Sequence, residues 1–200
     1  MTRGRGILSK SAASAFGATM DRFLASAEGL RDSKNEPPGC WEEVGKSLVD
    51  MGHALRKWHY GLCSLDAAEA AVLDGTKSIK SKIDGEHERI QEDEWDLNTP
   101  PCTELLRVTV SLRELYEVLI GEKVFKDGKA FTALLGAFAK LSAYAEACAS
   151  LDTEELTMKE EESIQTYMQY CLRTAVNGLD QAIDYMTPAQ GAGQYGTLRK

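Results

Sequence analysis

Apolar residues recur along this chain in steps of three and four, and the longest such run lies in its first half. Trp41, Val44, Leu48, Met51, Leu55, Trp58, Leu62 and Leu65 follow one another in that rhythm without a break. Continued, the rhythm reaches Val72, Ile79, Ile83 and Ile90, and passes through Glu69, Thr76 and Glu86 on the way. A 3-4 repeat is the signature of a helix laid along partner helices. The pattern therefore predicts one rod starting at about Trp41, with a kink near Asp74-Gly75 where glycine weakens it.

Other segments supply the partners. Phe16, Met20, Phe23, Ala27 and Leu30 form an amphipathic stripe near the N-terminus. Leu105, Val108, Leu112, Leu115 and Leu119 form another, with Thr103 as its expected N-cap. After the glycine-containing stretch 121–129, where a kink or break is expected, the stripe resumes with Phe131, Leu134, Phe138, Leu141 and Cys148. Small residues between Ala130 and Ala149 permit close helix approach. The last stripe runs from Ile164 to Met186, with Thr153 expected as its cap. Pro37-Pro38 and Pro100-Pro101 punctuate the pattern, and Pro188 follows its end.

The expected fold is all-α: an elongated antiparallel helical bundle or coiled coil of three long kinked helices plus an N-terminal amphipathic helix. Residues 1–34 are read as that first helix and residues 35–187 as the bundle, in one domain. The glycine-rich tail 188–200 is expected to lack order.

Composition agrees with a folded core: of 200 residues, 43% are hydrophobic and 27% charged. The net charge of −8 argues against nucleic acid as the main partner, since phosphate recognition needs clustered Lys and Arg. The charge is uneven. Arg3, Arg5 and Lys10 are the only charged side chains in the first twenty residues, whereas Glu86 to Asp96 is strongly acidic. The basic start is read in three ways: the frayed end of a bundle helix, a segment lying on anionic lipid, or a mitochondrial transit peptide. Five widely spaced cysteines without a CxxC pair fit a reducing, cytoplasmic compartment.

No catalytic, cofactor-binding or metal residue is assigned. Gly45-Lys46-Ser47 lacks the earlier glycine of a phosphate-binding loop, because Cys40 stands there. Asp50 with His53, and Asp84 with His87, have carboxylate-x-x-His spacing, without the inward glutamates that a di-iron bundle adds. His59 and Cys63 are four apart and would share a helical face, but two ligands do not complete a zinc site.

The run Trp41-Glu42-Glu43-Val44-Gly45-Lys46-Ser47-Leu48-Val49-Asp50-Met51 resembles the aromatic-x-x-(Ile/Val)-Gly-x-x-Leu-x-x-Leu run in the first long helix of sorting-nexin-type BAR domains. By motif the resemblance covers residues 16 to 58, and beyond them only the helix plan. It implies a crescent-shaped homodimer, without enzymatic activity, that binds or senses curved intracellular membranes such as endosomes. Lipid contacts would then fall on Arg3, Arg5 and Lys10, with Lys77, Lys80 and Lys82 as a second cluster. The acidic stretches 86–96 and 154–162 are poor surfaces for anionic lipid. The alternative expectation is a helical scaffold or adaptor that binds protein partners without a lipid role.

Overall fold

The sharpest departure from the predicted rod occurs at Tyr60–Ser64, where the chain reverses. In the computed structural model, which describes residues 10–33, 40–91, 100–121, 128–151 and 156–187, the seam forms two helices. These are α2 (Cys40–His59) and α3 (Leu65–Gln91). Gly61 stops α2 in a left-handed conformation, φ 72°. Its N–H bonds the Trp58 carbonyl and the N–H of Leu62 reaches back to Lys57, the paired bonds of a Schellman cap. Ser64 then opens α3 by accepting the N–H of Ala67 on its hydroxyl at 3.1 Å. These local caps outweigh the apolar rhythm. Leu62, expected in the seam, is 75% exposed, whereas Trp41, Val44, Leu48, Met51 and Leu55 are buried. Trp58 is half-buried against the core and Leu65 half-buried at the start of α3.

Folded back, the two halves of the seam pack on each other. The Ser47 hydroxyl bonds Ser78 at 2.9 Å, and Met51 lies over Gly75. A Cβ at Gly75 would collide with that Met51 side chain. The glycine expected to kink the helix is thus a point of close approach, and α3 runs through it without interruption.

Four more helices complete the described chain: α1 (Lys10–Arg31), α4 (Cys102–Gly121), α5 (Lys129–Leu151) and α6 (Met158–Met186). Their ends differ from expectation in two places. The first turn of α4 is closed by the Pro101 carbonyl, which accepts from Leu105, so Thr103 lies inside the helix. At α6 the cap is Thr157. Its hydroxyl accepts from the Glu160 N–H while the Glu160 carboxylate accepts from the Thr157 N–H, a full capping box. Thr153 lies outside the described residues, as do Arg3, Arg5 and the tail 188–200.

Neighbouring helices form a closed ring in the order α1, α2, α3, α6, α5, α4 and back to α1. Cross-contacts set the directions. Phe16 meets Trp58 edge-on (centroids 5.9 Å apart), while at the other end of the same pair Gly45 abuts Leu30 and Arg31. Thr109 shares a 2.8 Å hydrogen bond with Ser142, and Tyr116 one of 3.0 Å with Thr132. Arg22 bridges to Glu114 at 2.8 Å, and Lys80 reaches Asp180 at 3.5 Å. Every helix is therefore antiparallel to both its neighbours. The arrangement is two three-helix layers, α1-α2-α3 on α4-α5-α6. Trp41 of α2 and Tyr144 of α5 stack across the middle at 6.0 Å. Instead of three long kinked helices, six helices of 20 to 29 residues build an all-α bundle.

Two glycines separate packing from propensity. At Gly45 an added Cβ would run into the Arg31 backbone, which has no side-chain rotamer to move away. At Gly85, inside α3, it would meet open space. Gly45→Ala is expected to destabilise by about 1–3 kcal/mol through overpacking. Gly85→Ala should stabilise by roughly 0.5–1 kcal/mol through helix propensity. Thermal unfolding followed by circular dichroism should move in opposite directions for the two variants.

Candidate functional site

Three places could carry chemistry or recognition: a buried polar cluster at one end of the bundle, the histidine positions, and the outer face of α5 and α6.

The buried cluster is assembled by the ring. Glu86, on the seam of α3, is only 4% exposed. It accepts the Tyr144 hydroxyl of α5 at 3.3 Å and the Arg89 guanidinium at 3.1 Å. Cys40 at the start of α2 lies beside it. Cys148 adjoins Tyr144 one turn along α5, and the Cys102 thiol donates to the Ala145 carbonyl at 2.8 Å. Beside them the indole N–H of fully buried Trp41 has no acceptor among the described residues. Desolvation governs the titration of this cluster. It raises the Glu86 carboxyl above the ordinary carboxylate value against the opposing pull of Arg89. It raises the Cys40 and Tyr144 protons far above their usual range and pushes the Cys148 thiol up to about 12. The thiolate is the reactive form of cysteine, and burial disfavours that form at Cys40 and Cys148. The cluster joins α2, α3 and α5.

The histidines stay apart. His53 is exposed on α2, and His87 lies on α3. His59 rests on the Phe16 ring with centroids 4.7 Å apart. Because α2 ends at His59, Cys63 falls beyond the turn and donates weakly to the Ala54 carbonyl at 3.6 Å, so the shared helical face expected for this pair does not exist. Among the described residues no three His, Cys, Asp or Glu side chains stand together as a metal site. Gly45-Lys46-Ser47 is inside α2, with the Ser47 hydroxyl within hydrogen-bond distance of the Glu43 carbonyl and the Ser78 hydroxyl.

Of the residues singled out as lipid contacts, Lys10 begins α1, and Lys77 is exposed. Lys80 is paired with Asp84 at 2.6 Å and with Asp180. Lys82 is half-buried, five positions past Lys77 and so on a different side of α3. The three lysines are spread around the helix.

The outer face of α5 and α6 is different. Two clefts follow one another along it. The larger, about 600 Å³, has Lys129 and Lys140 on its α5 side and Tyr185 on its α6 side. Ala133, Gly136 and Gly178 line it between them. The smaller, about 400 Å³, includes Glu146 and Tyr167. Lys140 lies over the Tyr170 ring at 5.1 Å, and Lys129 over Tyr185 at 5.8 Å. Tyr167 and Tyr170 stack at 6.3 Å, and all three tyrosines are about half exposed. The stripe analysis missed this surface because it follows apolar residues inward. Its signal was present in the small residues of α5 and in Lys129 and Lys140, which lie off the stripe.

Comparison with protein-family models, with curated proteins and with solved structures finds no match to this chain. Among the described residues no helix is long and apolar enough to cross a membrane.

The raised Glu86 pKa has a stability consequence. A folded-state pKa above the unfolded value of about 4.5 means that ionisation of Glu86 disfavours the fold. Its stabilising contribution is complete below pH 4.5 and is lost as pH rises through the raised folded value. Glu86→Gln keeps the size and an acceptor for Tyr144 and removes that ionisation. Chemical denaturation from pH 4 to 7 should show the stability of E86Q relative to the parent protein increasing with pH. A constant difference would show that Arg89 neutralises the cost of burial.

Proposed function

We propose that this chain is a non-enzymatic helical interaction module, a scaffold or adaptor that binds a protein partner on the outside of its bundle. One observation carries the reading. The ring of six helices buries its apolar stripes against one another, yet Tyr167, Tyr170 and Tyr185 remain half exposed along one side of α6, next to open clefts. Tyrosine is favoured at protein interfaces because its ring buries area while its hydroxyl still finds a partner.

A second reading keeps the expected BAR-like homodimer at an intracellular membrane. The observation favouring it is the α2–α3 turn, where Tyr60 and Leu62 are 62% and 75% exposed beside the basic last turn of α2, Arg56 and Lys57. α1 enters the bundle at this end, since Phe16 packs on Trp58 and His59. Against it, the longest described helix has 29 residues, about 44 Å at 1.5 Å per residue, a short arm for a crescent.

Two measurements separate these readings. On the scaffold reading, the full chain migrates in a native extract as part of a larger complex that dissociates at about 0.5 M salt, where charge attractions are screened. It also stays in the supernatant with anionic vesicles. Sedimentation with those vesicles, abolished by Leu62→Ser, together with a dimer mass and no extract complex, would establish the membrane reading instead.

A further inference from the structure

The two layers of the bundle treat their middle helices differently, and we infer that the outer face of α5 and α6 is covered by the same face of a second copy of this chain. This inference rests on the scaffold reading and specifies its partner. Three observations carry it.

The first is a contrast between equivalent helices. α2 is the middle helix of one layer and α5 of the other. The outward ridge of α2 is Glu42, Lys46, Asp50, His53 and Lys57, all exposed and all ionisable. The outward positions of α5 are Thr132, Gly136, Ala139, Ala143, Glu146 and Ser150, with one charge among them. Beside this uncharged helix, Tyr167, Tyr170 and Tyr185 of α6 stand about half exposed. Loss of charge together with gain of tyrosine is the composition of a covered interface.

The second is shape. A two-fold pairing needs a surface complementary to itself. Here a ridge of tyrosines runs along α6 next to a valley of small residues along α5. A two-fold axis lying between the two helices and parallel to them places each copy's ridge in the other's valley. Levels match under that rotation. Lys140 of α5 lies over the Tyr170 ring, and Ala143 and Glu146 line one cleft with Tyr167. Tyr170 of one copy therefore settles at Ala143 of the other, and Tyr167 brings its hydroxyl to the Glu146 carboxylate.

The third is size and charge. Two helices side by side are about 20 Å wide, and the 23 residues of α5 span about 35 Å. The footprint is about 700 Å², close to the roughly 800 Å² that each partner contributes to a stable interface. The chain is at −8, yet the two clefts on this face are lined by a single carboxylate, Glu146. Copies approaching through it avoid most of their mutual repulsion.

The test is the mass of the purified full chain as a function of concentration, by sedimentation, with small-angle scattering for its length. A dimer about as long as one bundle is expected, because the copies pair side by side. Tyr170→Ala removes the centre of the ridge. Gly136→Leu fills the valley at a position where a Cβ meets nothing within 4 Å, and leucine is the better helix former. Each should raise the dimer dissociation constant about tenfold or more, with the circular dichroism of the parent retained. Asp50→Ala on the ridge of α2 and Leu62→Ser at the α2–α3 turn should leave it unchanged. A monomer at every concentration, a dimer that either α5–α6 variant leaves intact, or a dimer nearly twice as long as one bundle would overturn the assignment. If the pure chain is monomeric while the salt-sensitive complex forms in the extract, the second copy is the wrong occupant and the scaffold reading stands; if neither forms, that reading fails as well.

Discussion

The fold depends on a chain reversal at Gly61–Ser64. Upstream of it lies a helix with one apolar seam, and downstream a second helix continuing the same seam. The reversal lays one on the other, so that Ser47 meets Ser78 and Met51 meets Gly75. Had the helix continued through Gly61, α3 would project away and α6 would have no neighbour at the position of Lys80 and Asp180. The ring would be open, and the stripes of α3 and α6 would face water. Closure is what turns six marginal amphipathic helices into a shared core, since most helical stability in water comes from packing an apolar face.

Closure also explains the polar groups inside. Two layers of three helices bring the beginning of α2, the end of α3 and the end of α5 to one place. There Tyr144 and Arg89 donate to Glu86, with Cys40 beside them. A buried carboxylate costs little only if every lone pair finds a donor. This cluster comes near that condition, with the Trp41 indole as the one donor left over among the described residues. Such a network fixes which helix ends meet, because sliding α3 against α5 by a turn would separate Glu86 from Tyr144. Its chemistry is suppressed by the same burial that makes it specific. On the outer face of α5 and α6, by contrast, side chains contact one another and still reach solvent.

The outer face of α5 and α6 shows how a well-packed pair can still offer a groove. The two helices approach closely through small residues, and a Cβ at Gly178 would sit 3.2 Å from that of Ala137, a tight contact. The same economy of side-chain volume continues onto the outer surface at Gly136 and leaves the lysines and tyrosines standing as walls. Intimate packing inside and an accessible cleft outside thus share one cause, the run of alanine and glycine along α5.

By itself the sequence determined the all-α class, the stripes that became α1, α4, α5 and α6, and the burial of Trp41, Val44, Leu48, Met51 and Leu55. Those features depend on local periodicity, and the 3.6-residue turn writes them directly into residue spacing. It also held the signal for the reversal, in Gly61 followed by Ser64, but a rhythm that continues on both sides of a hairpin looks identical to one that runs straight. Only tertiary structure decided between them, because the local caps allow the reversal but the choice also rests on whether Met51 and Gly75 fit together, a contact between residues far apart in the chain. The same holds for Glu86, an apparent blemish in the seam until Tyr144 and Arg89 are brought to it. It holds too for Lys129 and Lys140, whose relation to Tyr185 and Tyr170 exists only once α6 has folded back along α5.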